Sequence, residues 1–219
     1  MSVVDEGNVK EEMVVFMRNS DILTVAERGV TTTSETFSGT GAPQVLTLTN
    51  NVVRNIRSVN DGSAKSAYSD YTPSYSASTT TVSGTFASGT DNITVSYDYS
   101  TGATEAIWGD YPELGELDAG DFPRVGFDFI SSVSEPLGIG DTNYMSSKLM
   151  NVRVYDNKTS VIDRAMTTLR QAIKDNQKSF YYYKFVKMST ITPLIPHEEF
   201  KRKIRERGID FELQFAFET

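Results

Sequence analysis

One amphipathic stretch, Thr159–Asn176, limits the folds open to this chain more than any other. Ile162, Ala165, Met166, Leu169, Ala172 and Ile173 recur three and four residues apart, so they share one face of a helix. Ser160 is placed to accept from the Asp163 backbone N–H, and Asp163 falls in the first turn, where the positive end of the helix dipole favours it. Strand-like runs flank the helix on both sides: Phe122–Ser131 and Met145–Tyr155 before it, Phe180–Ser189 and Ile209–Phe217 after it. The last of these is the cleanest. Five apolar residues from Ile209 to Phe217 alternate with mostly polar ones, and a one-residue register slip would expose them all. Val125, Phe127 and Phe129 alternate in the same way, as do Met150, Val152 and Val154.

A further helix is expected near the N-terminus. Asn8 is a plausible cap with Glu11 three residues on, and Val9, Met13, Phe16 and Met17 form its apolar stripe. The expected fold class is therefore α+β: a four-stranded, mostly antiparallel sheet with two helices on one face.

From Thr31 to Gly102 the composition shifts to Ser, Thr, Gly and Asn. Strands are expected at Gln44–Thr49, Val52–Val59, Tyr68–Tyr75, Thr79–Phe86 and Asn92–Tyr99, with turn-forming residues between them. Five short strands at roughly ten-residue spacing predict a small sandwich-like all-β domain, and Pro73 marks the third as an edge strand. The predicted organisation is an α+β domain made of residues 1–30 and 103–219, with an all-β domain inserted at 31–102. A chain of 219 residues suits two domains, given the usual size of about 100–150 residues.

Composition narrows the function. A net charge of −8 argues against a general nucleic-acid binder, whose phosphate affinity rests on clustered Lys and Arg. No apolar run approaches the ~18 residues needed to span a membrane, and Met1–Arg18 lacks the pattern of a secretory signal. Without cysteine there are no disulfides or thiolate metal sites. His197 is the single histidine, placed between Pro196 and Glu198, and it reads as an exposed loop residue without a partner. The linker Ala103–Asp121 carries Glu105, Asp110, Glu113, Glu116, Asp118 and Asp121, but these do not match the spacing of a calcium loop and read as solvated. Asp128 and Asp210 fall on strands with nothing to make them a catalytic pair. No cofactor, metal site or catalytic group is expected.

Contact surfaces are better signalled. Trp108, Tyr111, Phe122 and Arg124 are the residue types that buried contacts use; they either seal the two domains together or meet another subunit. The run Phe180–Val186, including Tyr182, is aromatic on both faces, as in a central strand or one covered by a neighbour. Ser131–Tyr144, with Pro136 and Ile139, reads as a loop of about 13 residues, and loops that long are often functional. Lys201, Arg202, Lys203, Arg205 and Arg207 are interleaved with Glu198, Glu199 and Glu206, which favours ion pairs within or between subunits over phosphate binding. Whether Glu198–Arg207 is helix or strand stays open. The subunit-interface candidates are Trp108, Tyr111, Phe122, Arg124, Pro136, Ile139, Tyr182, Arg202 and Arg205.

Element order and short strand patterns together carry a resemblance. N-S-D-I-L-T-V-A-E-R-G-V precedes the insertion, and W-G-D-Y-P-E-L leads to D-F-P-R-V-G-F-D-F. M-N-V-R-V-Y-D, the central helix and I-D-F-E-L-Q-F follow. Over Met1–Val30 and Ala103–Thr219 the chain resembles the tail terminator (tail-completion, or neck) proteins of long-tailed viruses of archaea and bacteria. The resemblance implies a non-enzymatic ring, commonly of six copies, in the virion neck and assembled in the host cytoplasm. It would cap the tail tube and join it to the head–tail connector or adaptor, with DNA only as passing cargo and no membrane. The inserted domain departs from the smaller members. A different class remains open, in which that β domain recognises a glycan or host surface and the α+β unit anchors it to the virion.

Overall fold

A computed structural model describes residues 6–76, 78–100, 102, 105–112, 117, 122–136, 143–182, 185–197 and 203–218; at 6, 132–136, 143–146, 185, 189 and 215–218 it describes the backbone only. The described chain forms two compact units, Met1–Thr24 with Ala106–Thr219, and Val25–Glu105.

The first unit is α+β. Helix α1 (Glu6–Asn19) opens the chain, and the all-β unit follows. In the all-β unit the strands are β1 (Val30–Gly39), β2 (Pro43–Thr47), β3 (Val53–Asn60), β4 (Ala64–Lys65), β5 (Tyr71–Tyr75), β6 (Thr80–Thr85) and β7 (Gly89–Ser100). The chain then re-enters the first unit with β8 (Arg124–Pro136), β9 (Asn143–Asp156), helix α2 (Thr159–Asp175), β10 (Phe185–Ile191), β11 (Ile195–His197) and β12 (Ile204–Glu218). The sheet runs β10-β12-β9-β8, with short β11 also paired to β12. All these pairings are antiparallel; a single parallel bridge joins Ile107 to Val125 at the β8 edge.

One core unites both helices with one face of this sheet. Val9, Met13 and Met17 of α1 and Ile162, Ala165, Met166, Leu169 and Ile173 of α2 share it with Val125, Phe127, Met150, Val152, Val154, Ile209, Phe211 and Leu213. The predicted helical stripe is the buried set, Ala172 excepted. The cap differs from expectation: Lys158 occupies the N-cap with no side-chain bond. Asp156 accepts the Lys158 N–H at 2.6 Å, and Asp163 instead pairs with Arg207 at 2.5 Å.

Two other expectations are corrected, and the open question at Glu198–Arg207 is answered in part. Phe180–Tyr182 is not strand, because its backbone donors are satisfied elsewhere: the Glu12 carboxylate accepts the N–H of Tyr181 at 2.5 Å and of Tyr182 at 3.0 Å. Phe180 packs edge-on to Phe16, with centroids 4.8 Å apart. The interior strands are β12 and β9, and β10 is an edge. The long loop at Ser131–Tyr144 is mostly hairpin, since β8 extends to Pro136 and β9 starts at Asn143; residues 137–142 lie outside the described set. In Glu198–Arg207, the described end is strand from Ile204.

The second unit holds a four-stranded sheet, β1-β7-β3-β4, and a three-stranded one, β2-β6-β5. Their inner faces share a core that includes Leu46, Val82 and Tyr71 from one sheet and Ile56, Val59, Ile93 and Val95 from the other. Pro73 lies on edge strand β5, where its missing donor costs no ladder bond. The unit begins at Val25 rather than Thr31 and ends at Glu105 rather than Gly102, for two reasons. Strand β1 pairs with β7 from Val30↔Ser100 onward. Arg28 is fully buried and donates to Glu105 twice, at 3.1 and 3.0 Å, and to Asp98 at 2.8 Å. Asp98 also accepts from Arg57 and Thr32, each at 2.6 Å. Burial pushes the Asp98 pKa up, but those hydrogen bonds and the Arg28 charge outweigh it and hold the carboxyl below its ordinary value.

Candidate functional site

The sheet face away from the helices is polar, and strand register arranges it in three rows. Arg124, Tyr155 and Glu206 form the first, Gly126, Arg153 and Gly208 the second, and Asp128, Asn151 and Asp210 the third. Arg153 thus has no side chain beside it on either neighbouring strand. The vacated space is used. A Cβ on Gly126 would lie 2.5 Å from the Asp110 carbonyl oxygen and 2.9 Å from the Tyr111 Cα, so only glycine lets the linker cross here.

Tyr111 is seated by that crossing. Its hydroxyl donates to Asn151 Oδ1 at 2.8 Å, and the Arg153 guanidinium lies 4.8 Å from its ring centroid. Asn151 in turn donates to Asp210 at 2.6 Å. Phe122 packs over Leu117, Tyr155 and Ile204, and Arg124 is buried in the first row. Trp108 sits at the β8 edge, where its backbone N–H donates to the Val125 carbonyl at 3.0 Å and Arg18 approaches its ring at 5.9 Å. These four side chains, expected either between domains or between subunits, are engaged within the α+β unit. Only Trp108 stays substantially exposed, at 42%.

Among the other candidates, Tyr182 is half-buried beside Tyr181 and held through Glu12. Arg205 donates to the Asn157 carbonyl at 3.1 Å. Pro136 ends β8 opposite Tyr144, and its side chain lies outside the described set, as do Ile139 and Arg202 altogether.

His197 is not the solitary loop residue expected. It lies on β11 opposite Ile204, with Nε2 2.9 Å from Glu206 and its ring tilted against Tyr155. Glu206 is shared with Arg153 at 3.4 Å. Burial works against the charge on Arg153, but Glu206 outweighs it and the guanidinium pKa is raised. Burial pushes the Tyr155 hydroxyl up to about 12, with the Glu206 charge adding to it. Such a tyrosine stays protonated at neutral pH and acts as a donor, not as a base. The network therefore ties β9, β11 and β12 together. Among the described residues, no three His, Asp or Glu side chains gather to hold a metal ion. No described helix is long and apolar enough to cross a membrane.

The acidic linker is only partly as expected. Glu105 is buried on Arg28 rather than solvated. Asp110 is exposed and shares Lys10 Nζ with Asp128, at 3.0 and 2.8 Å.

Both edge strands of the sheet carry exposed apolar side chains. On β8 the register with β9 shifts between Phe129 and Ser131, and Ile130 is 57% exposed. On β10 a similar shift falls between Met188 and Ile191, both more than a third exposed. Sequence reading missed Ile130, Met188 and the Lys10 clamp; a bulge becomes visible only with the strand register. No protein-family model matches the chain, and no curated protein matches it either.

Proposed function

We propose that this chain is a structural virion protein. Copies join head to tail into a ring at the head-proximal end of the tail tube, commonly six of them, terminating the tail and linking it to the head connector or adaptor. One observation carries the reading: the α+β sheet ends in two different edges, β8 and β10, and each presents exposed large apolar side chains. Two unlike sticky edges on one rigid sheet suit heterologous contacts, which close into a ring when the rotation between copies allows. The polar outer face, held by paired charges, supports a scaffold and not a reaction centre. The net charge of −8 suits a passage for DNA, because like charge disfavours adhesion.

Purified protein added to isolated tail tubes of the encoding virus, viewed by negative-stain microscopy, should sit as a ring at one tube end. Decoration along the tube wall, or no attachment, would count against the proposal.

A further inference from the structure

One edge of the all-β unit is long and unguarded. Sheets usually blunt an edge with a short strand, a proline, a charge or a bulge, because its unpaired N–H and C=O groups are a template for another chain. Strand β4 has two residues, β5 carries Pro73 at its centre, and β2 has five residues and begins at Pro43. Strand β1 runs for ten residues without proline or lysine, and among the described residues it pairs only with β7. Its one charge, Glu35, does not guard it. That carboxylate is turned back into its own copy, where it accepts from the Thr49 backbone N–H and the Thr49 hydroxyl, each at 3.0 Å, and from the Tyr97 hydroxyl.

Hydrogen bonds show which groups of β1 face outward. Ser100, opposite Val30, sends its N–H away from β1 to the Val52 carbonyl at 3.1 Å. The Thr33 carbonyl faces β7, where it accepts from the Ser96 hydroxyl at 3.4 Å. Backbone groups alternate in direction along a strand, so odd-numbered residues of β1 turn to β7 and even-numbered ones turn away. The outward edge is closed at each end. The Val25 carbonyl takes the Val30 N–H at 3.1 Å, and the Gln44 side chain donates to the Ser38 carbonyl at 3.1 Å. Between these ends lie Thr32, Ser34 and Thr36, whose backbone N–H and C=O groups have no partner among the described residues.

We infer that β1 pairs antiparallel with β1 of a second copy about a two-fold axis at Ser34, joining two four-stranded sheets into one. The stretch is complementary to itself. With Ser34 facing its own counterpart and Thr32 facing Thr36, every open N–H and C=O group is paired across the axis. The occupied residues Val30 and Ser38 fall at the two limits of the same register. Glu35 then lies opposite Thr33, so the single charge of the strand does not meet itself. The facing side chains of the open residues are all hydroxyl-bearing, a favourable class of cross-strand pair. Such a contact is isologous and complete at two copies. It is independent of the head-to-tail contacts proposed for the α+β unit, and two chains or two rings are joined by it alike.

The chain has no cysteine, so one introduced thiol reports the axis. Full-length Ser34→Cys should give a covalent dimer on mild oxidation, because facing residues of a hydrogen-bonded antiparallel pair lie about 5.5 Å apart at Cα, within disulfide reach. Thr32→Cys alone should stay uncrosslinked, yet crosslink when mixed with Thr36→Cys. Independently, amide exchange of the parent protein at Thr32, Ser34 and Thr36 should slow at least about tenfold from dilute to concentrated protein. Ser34→Lys should abolish that slowing and leave the circular dichroism unchanged. Fast exchange at these amides at every concentration, or Thr32→Cys crosslinking to itself as readily as Ser34→Cys, would overturn the inference while leaving the ring proposal standing. Slowing that requires a different virion protein would assign the edge to that partner and overturn the second copy as its occupant.

Discussion

Replacing Arg28 by alanine would leave the Glu105 carboxylate without the guanidinium that faces both of its oxygens. Arg28, Asp98 and Glu105 are all fully buried. Asp98 keeps Arg57 and Thr32 after the change, so the cost falls mainly on Glu105. Removing one partner of a buried ion pair costs about 3–5 kcal/mol, a large part of a domain stability of about 5–15 kcal/mol. At a denaturant slope of roughly 2 kcal/mol per molar, the urea midpoint of the all-β unit should fall by about 1.5–2.5 M. Amide hydrogen exchange on β1 and β7, measured across the urea series, follows that unit. The single tryptophan, Trp108, belongs to the other unit, and its fluorescence midpoint should move less than half as far. Replacing both partners, Arg28→Met with Glu105→Leu, should recover most of the loss, because paired apolar groups need no compensation. A loss below about 1 kcal/mol for the alanine variant, or a double variant no better than the single, would refute the assignment of this cluster as the closure of the insertion.

The same cluster sets a pH dependence. The Asp98 pKa is lowered in the folded state, so its contribution is present above the unfolded value of about 4 and is lost as pH falls below it; Asp98→Asn should flatten the acid limb of an unfolding titration. Glu12 has the opposite sign: burial raises its pKa, though the two backbone donors pull it down, so the α+β unit should lose stability as pH rises through the window above about 4.3. Glu12→Gln should remove that slope and, with one acceptor oxygen instead of two, reduce amide-exchange protection at Tyr181 or Tyr182 by about tenfold, or roughly 1.4 kcal/mol. Gly126→Ala should push residues 110–112 off the sheet, break the Tyr111–Asn151 bond and cost about 1–3 kcal/mol, seen as a changed Trp108 emission and a lower midpoint.

What the sequence reveals here follows periodicity. The α2 stripe and the alternation of β9 and β12 mark core faces because burial of each repeats at a fixed period, and the α+β class follows from them. Strand β1 has no such signal: V-T-T-T-S-E-T-F-S-G holds only two large apolar residues, and its place comes from pairing with β7. The aromatic run at Phe180 misleads for a related reason. Its side chains look strand-like, but a carboxylate on α1, far away in sequence, takes the backbone donors. The outer face is hidden further still. Gly126, Arg153 and Gly208 are unremarkable singly, and only register sets them side by side. Likewise, the His197–Glu206 contact depends on β11 folding back on β12.

The mass of the protein in solution tests the central claim most directly. Light scattering coupled to size exclusion, across a wide concentration range, should find a closed particle at a whole multiple of the 24.3 kDa chain, six being expected, with no larger open polymers. A single 24.3 kDa species at high concentration, with no ring even when tail tubes are added, would contradict it.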